Sequence, residues 1–369
     1  MNGHAPAVTS AGGLGACEGC GDAADLECCK QEPDMATSTV CVIIAARNAQ
    51  TTIARAVTSA LREMRVSEVV VVDDGSDDAT AEASLATDDG SGRLHIIRLD
   101  HNQGPAHARN RAIADSRAPL IAILDADDFF LRGRFDTILD GHDWDFVADN
   151  IVFIDERSAS HTEPQVPRFE AAPRFLDIES FVDGNISRRG ASRGEIGFLK
   201  PVMRRAFLDL HGLRYQEGLR LGEDYDLYAR ALLNGARYKI MHGCGYGAVV
   251  RADSLSGRHR TEDLKRLYEA DRDMLASATV PDAARAALTR HERHVRGRYE
   301  LRHFLDRKAG SGLLRASLGA LTRPSTLPAI VGGVAADKLE AFRGKQGERA
   351  ASGPMPHRYL LPARIVAQK

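Results

Sequence analysis

No stretch of this sequence reaches the roughly 18 consecutive apolar residues that a membrane-spanning helix needs. The N-terminus has neither the basic opening nor the apolar core of a secretory signal, so the cytoplasm is the expected compartment. There is no surplus of one charge either. Lys and Arg number 49 against 51 Asp and Glu, a formal net charge of −2, which provides no global basic field for nucleic acid. No GxGxxG follows the first apolar run, which disfavours a dinucleotide dehydrogenase. No internal repeat is present, which sets repeat architectures aside.

Six cysteines are present, four of them at positions 17, 20, 28 and 29. Their C-x2-C-x7-C-C spacing has enough thiols for zinc but lacks the usual gap in its second half. Around Cys17, Cys20, Cys28 and Cys29 the residues are Gly, Ala, Asp and Glu, so residues 1–36 read as a disordered leader, with Met35 an alternative start. Cys41 and Cys244 stand alone in apolar contexts and read as core fillers. The 43% hydrophobic and 27% charged residues fit an ordinary globular protein of one large domain plus an appendage, or of two domains.

From Val40 the chain alternates between two periods. The runs Val40–Ala45, Glu68–Val72 and Pro119–Leu124 read as buried strands, and Leu94–Arg98 as a further strand. Between them Ile53, Val57, Ala60, Leu61 and Met64 keep helical spacing, Ser76 is placed to cap a short helix, and Gly104-Pro105 opens another. Strand–helix alternation with short links predicts a largely parallel α/β sheet whose ligands bind at the carboxyl ends of the strands. Beyond residue 130 the pattern loosens. Residues 144–155 predict one or two strands, residues 158–173 a loop, and 238–241 and 247–250 two more strands. Two helical blocks follow, from Glu262 and over 282–306. Residues 312–334 are mildly apolar, and a flexible tail is expected from 344 to 369.

The chemistry concentrates at two strand ends and one helix start. Asp73-Asp74-Gly75-Ser76 follows the second strand, and Asp125, Asp127 and Asp128 crowd the turn LDADDFF after the fourth. Gly222-Glu223-Asp224 opens a later apolar helix. Adjacent carboxylates repel, so the second cluster suggests a hard divalent cation, Mn²⁺ or Mg²⁺.

In that order, with NQGPAHARN between them, these motifs resemble the family 2 nucleotide-sugar glycosyltransferases of the GT-A fold. The resemblance runs from about Thr39 to His259, and the text from 197 to 260 looks like the bacterial exopolysaccharide subgroup, including succinoglycan glucosyltransferases. It implies a domain over 37–260, with a nucleotide-binding half to residue 130 and an acceptor half beyond it, and a helical extension over 261–343. By position, Asp74 would bind the uracil of a UDP-sugar, with Ala45 lining the base and Arg109 near the donor. Ala45 and Arg47 stand where the family often has Pro and Tyr, which would set Arg47 against the base. Asp125 would face the ribose or sugar. Asp127 would bind the metal, with Asp128 sharing that role and His259 a candidate for its shell or a plain surface histidine. Asp224 would be the catalytic base, supported by Glu223. The implied activity is inverting transfer of a sugar, glucose in the succinoglycan-like reading, to a lipid-linked oligosaccharide at the cytoplasmic face of the inner membrane. A nucleotidyltransferase or a non-catalytic sugar-nucleotide binder is the alternative.

The basic segment Arg188, Arg189, Arg193, Lys200, Arg204 and Arg205 has two readings. It is a solvated face with sheet-edge protection, or an acceptor mouth in which Arg pairs bidentately with a pyrophosphate.

Overall fold

In the computed structural model the described residues are 39–156, 166, 173–186, 196–250, 260–278, 280–322, 327–333 and 358–361. Expectations for the leader, its four cysteines, Arg188, Arg189, Arg193 and His259 lie outside them.

The first half is the expected strand–helix alternation. Strands β1 (Val40–Ala46), β2 (Val66–Asp73), β3 (Leu94–Arg98) and β4 (Leu120–Ile123) pair in parallel in the order β3-β2-β1-β4. The β-branched residues of β1, β2 and β4 are buried, as strands covered by helices require, whereas β3 lies at the edge of the sheet with Ile96 and Ile97 half-buried. The connecting helices are α1 (Ile53–Leu61), α2 (Thr80–Leu85) and α3 (Pro105–Asp115). Helix α1 stops before Met64, which is 92% exposed, because the chain has already turned toward β2.

Ser76 does not cap α2. Its hydroxyl instead accepts the Asn48 backbone N–H at 2.9 Å, joining the loops after β1 and β2, and α2 begins only at Thr80. Asp78, two residues before Thr80, takes the Thr80 N–H at 3.1 Å.

The second half adds β5 (Phe129–Phe130), α4 (Arg134–Ile138), β6 (Phe146–Asp155), β7 (Arg174–Leu176), α5 (Ile178–Asp183), β8 (Val202–Arg204), α6 (Arg205–Leu210), α7 (Glu223–Leu233) and β9 (Tyr238–Val250). Strand β8 enters antiparallel between β4 and β6, and β9 pairs parallel to β6. The two strands expected over 238–250 are one. Gly245 lies inside β9 because a Cβ there would meet Arg134 at 2.3 Å, and its N–H binds the buried Asp149 at 2.6 Å. Backbone is therefore required where the sequence pattern looks broken.

After residue 260 come α8 (Thr261–Ala276), α9 (Asp282–Ser311) and α10 (Leu313–Leu321), in the same compact unit as the sheet. The flexible tail expected from 344 needs correction at residues 358–361. Arg358 and Tyr359 form β10 against the edge of β6, and Leu360 is buried. The Asn150 side chain fixes this segment, accepting the Leu361 N–H at 2.8 Å and donating to its carbonyl at 3.1 Å.

Candidate active site

The acidic turn leaves β4 at the carboxyl edge of the sheet, and α1 holds its backbone. Arg55 donates to the Asp127 carbonyl at 2.7 Å, and Arg62 donates to that of Phe130 at 2.5 Å. The Ser59 hydroxyl accepts the Phe130 N–H at 3.0 Å. From the other side, Tyr246 of β9 accepts the Asp125 N–H at 3.1 Å and donates to Asp128 Oδ2 at 2.8 Å.

Asp128 is thereby corrected as a metal ligand. Its second oxygen takes the Val249 N–H at 2.9 Å and the residue is buried, so both oxygens face β9. Burial, then the charges of Asp127 and Asp125, push its carboxyl well above the usual range. Asp127 stays half-buried at the tip of the turn, and among the described residues no three or more His, Cys, Asp or Glu side chains group as a metal shell.

Asp125 faces the other way, into a knot of opposite charges. Arg109, from the middle of α3, donates to Asp125 Oδ1 at 3.0 Å and to Glu223 Oε1 at 2.8 Å, and lies 3.4 Å from Asp224 Oδ1. Lys200 Nζ sits 2.8 Å from Asp224 Oδ2 and 3.0 Å from Asp125 Oδ2. Two cations therefore join three carboxylates, one from the turn after β4 and two from α7. Burial works against the charge on Asp125, but Lys200 and Arg109 outweigh it and hold the carboxyl down at about 2. Burial likewise opposes the Lys200 ammonium, and Asp125 and Asp224 more than restore it, so the lysine is raised above its ordinary range.

Each cation is itself positioned. The Arg109 guanidinium lies over the Tyr215 ring at 5.3 Å. The next residue, Asn110, exchanges two hydrogen bonds of 2.9 Å with the Tyr215 backbone. Arg134, paired with Asp149 at 2.8 Å in the core, donates to the Lys200 carbonyl at 2.6 Å. Lys200 thus leaves the solvated face of the basic segment. Arg204 and Arg205 do too: Arg204 stacks on Trp144 at 4.2 Å, and Arg205 donates to the carbonyls of Ala118 and Ile113 at 2.8 and 2.9 Å.

The other candidates line the same edge. Asp74 is buried and takes the N–H groups of Gln103 and Gly104 at 2.7 and 2.8 Å, pinning the loop that opens α3. A nucleobase contact there has only the remaining lone pairs of that carboxylate. Ala45 is half-buried and Arg47 exposed at the end of β1. Tyr246, Arg134 and Tyr215 escape sequence reading, since nothing local marks their partners.

A carboxylate turn at the carboxyl edge of the sheet thus faces two acids at a helix start, across Arg109 and Lys200, in an α/β frame. The chain belongs to glycosyl transferase family 2, whose model matches residues 41–210. It is 60% identical over 335 residues to the succinoglycan biosynthesis protein ExoU of Rhizobium meliloti (strain 1021), across 90% of this chain and 98% of that protein. It is 35% identical to ExoO of the same organism, across 72% of this chain and 75% of that one. S. aureus TarS 1–349, solved in complex with UDP-GlcNAc, shares the fold at a TM-score of 0.54 and 18% identity, over 79% of each chain. The chain is a glycosyltransferase with the expected GT-A architecture. The acids of α7 lie beyond the stretch that the family model matches.

Proposed function

We propose that the chain is an inverting hexosyltransferase that moves a sugar, glucose in the preferred reading, from a UDP-sugar to a lipid-linked oligosaccharide in exopolysaccharide assembly. The observation that supports it is the convergence of Asp125 and Asp224 on Lys200 Nζ, at 3.0 and 2.8 Å, from elements far apart in sequence. The identity to ExoU, a succinoglycan biosynthesis protein, supports the pathway class, and the UDP-GlcNAc complex of TarS supports the donor class.

In this reading Asp74, Ala45 and Arg47 flank the base, and Asp125 and Arg109 meet the donor's sugar side. Asp224 takes the proton of the acceptor hydroxyl as its oxygen attacks the anomeric carbon. The new C–O bond forms opposite the departing oxygen, which leaves with its electron pair on UDP, so configuration inverts. Glu223 keeps Arg109 oriented toward the site. Asp127 would hold Mn²⁺ or Mg²⁺, which when bound supplies positive charge for the diphosphate. Arg188 and Arg189 remain acceptor-side candidates, while Lys200 would act between donor and base.

A thermal-shift panel of UDP-, GDP- and dTDP-sugars with and without Mn²⁺ tests the donor. A shift is expected only with UDP-sugar plus metal, and in Asp127→Ala that metal-dependent shift should vanish. Stabilisation by GDP- or dTDP-sugars instead would sink the UDP assignment, and an unchanged Mn²⁺ requirement in the variant would move the metal site elsewhere.

The acceptor reading places the enzyme at a membrane surface, and α10 suits that role. None of the helices among the described residues is long and apolar enough to cross a membrane. Helix α10, however, turns Ala316 inward, at 2% exposed, and leaves Leu314 82% and Leu318 64% exposed, with Arg307, Lys308 and Arg315 exposed nearby. Outward leucines beside basic residues suit the surface of an anionic bilayer. Flotation with phosphatidylcholine vesicles containing phosphatidylglycerol should recover the wild type at low salt, and Leu314→Ser/Leu318→Ser several-fold less. Equal recovery of both proteins would remove this surface from the reading.

A further inference from the structure

Helix α7 carries Glu223 and Asp224 on one side of its first turn, and Tyr225 leaves the opposite side. Tyr225 is buried, and its hydroxyl donates to Asp271 Oδ1 of α8 at 2.8 Å. The other oxygen of Asp271 lies 2.7 Å from Nδ1 of His291 on α9. The Tyr225 ring is stacked between His291, centroids 4.2 Å apart, and Phe181 of α5 at 5.8 Å. Asp271 is wholly excluded from solvent and His291 is 3% exposed.

These polar groups occupy positions where apolar side chains would be expected. On α9, His291 shares its face with Ala284, Ala287, Leu288 and Val295, all buried. On α8, Asp271 shares its face with Leu264, Leu267 and Met274, also buried. Burying a carboxylate is costly, and an apolar replacement of similar volume often stabilises as well or better. Adhesion alone therefore does not account for the trio. A hydrogen-bonded carboxylate does supply direction: apolar surfaces can slide past one another, whereas Tyr225 can meet Asp271 at only one rotation of α7 about its axis.

The start of α7 is constrained at the same level. Gly222, its N-cap, has φ 75°, and a Cβ there would meet Leu267 of α8 at 2.7 Å. Helix α8 thus touches the backbone of the residue that precedes Glu223. Ties further out join the same elements, Arg272 to Glu292 at 2.8 Å and Arg290 to Asp183 at 2.7 Å.

We propose that Tyr225, Asp271 and His291 are positioning residues that set the rotation of α7, and with it the aim of Asp224, so that the helices after residue 260 are a working part of the transferase. The proposal rests on Asp224 as the base. Misplacing a reacting group by about 1 Å costs on the order of 100-fold in rate, so a loosened α7 should lose turnover rather than donor affinity.

The test uses the full chain, with UDP-glucose as donor probe and a glycolipid extract as acceptor, on Tyr225→Phe, Asp271→Asn, His291→Gln and His291→Leu. UDP affinity and KM for UDP-glucose should stay within about twofold, while kcat falls about 10- to 100-fold in Tyr225→Phe and Asp271→Asn. The Tyr225→Phe/Asp271→Asn double variant should lose little more than either single, because the two remove one interaction. His291→Gln, which keeps an N–H for Asp271, should retain more turnover than His291→Leu. Folded single variants with wild-type kcat would overturn the proposal, as would parallel loss of UDP affinity and kcat. Asp224→Asn serves as the control. If it is inactive while Tyr225→Phe is fully active, positioning fails and the base stands; if it transfers normally, the base assignment itself fails.

Discussion

Asp224→Asn is expected to cut sugar transfer by about 10²–10⁴-fold while leaving UDP affinity within about twofold. The amide keeps the shape of the side chain and removes its capacity to take a proton. The site also limits what else can change. Asp224 meets Lys200 through one oxygen at 2.8 Å and Arg109 through the other at 3.4 Å. Asparagine has one acceptor oxygen, so one of these contacts must be lost or turn repulsive. A modest fall in melting temperature should accompany the loss of transfer. Glu223→Gln should be much milder, because Glu223 reaches only Arg109 among these cations, at 2.8 Å. Transfer and calorimetric UDP binding on the same preparations decide the matter. If transfer persists in Asp224→Asn, or UDP binding falls as far as transfer does, Asp224 is not the base.

The helix start that carries this acid was legible because its signal is written locally, while the role of base came with the family resemblance. Gly-Glu-Asp before an apolar helix marks a helix start in sequence, and α7 begins at Glu223 with Gly222 left-handed before it. The parallel strands were legible for the same reason: β1, β2 and β4 are uninterrupted runs buried on both faces. Where the structure departs from expectation, the deciding contact is remote. Strand β8 has three residues inside a stretch that reads as basic and polar, and only its place between β4 and β6 makes it a strand. Of the glycines that seemed to split β9, Gly245 marks the close passage of Arg134, and Gly243 stands beside Thr137.

The acidic turn shows the limit most clearly. Three carboxylates in four residues look equivalent in sequence, yet the chain sends them in different directions. Asp125 turns to Arg109 and Lys200, Asp128 turns to Tyr246 and the Val249 N–H, and Asp127 stays half-buried at the tip. Spacing reports that the acids are close but carries no information on which partners wait on β9, α3 and the loop before β8. Lys200 makes the same point, since a lysine among arginines reads as surface until the fold buries it between two carboxylates.

Arg109→Leu is expected to destabilise the protein by about 3–5 kcal/mol at neutral pH, the usual cost of removing one partner from a buried ion network. Its guanidinium is 7% exposed and faces Asp125, Glu223 and Asp224, leaving Lys200 alone against three carboxylates. The pH dependence should change sign. In the wild type Asp125 is held at about 2, below the ~3.9 of an unfolded aspartate, so its contribution is full above ~4 and is lost as pH falls toward 2. Without Arg109, burial has one fewer cation opposing it and the Asp125 carboxyl rises. A folded-state value above about 5 makes the variant gain stability as pH drops from 7 to 5, because a proton relieves the uncompensated charge. Over that interval the wild-type Asp125 contribution is flat. Urea unfolding of both proteins at pH 7 and pH 5 measures the difference: the gap between them should narrow at pH 5. A gap equally wide at both values would mean that lost packing against Tyr215, rather than unpaired charge, is what Arg109→Leu costs.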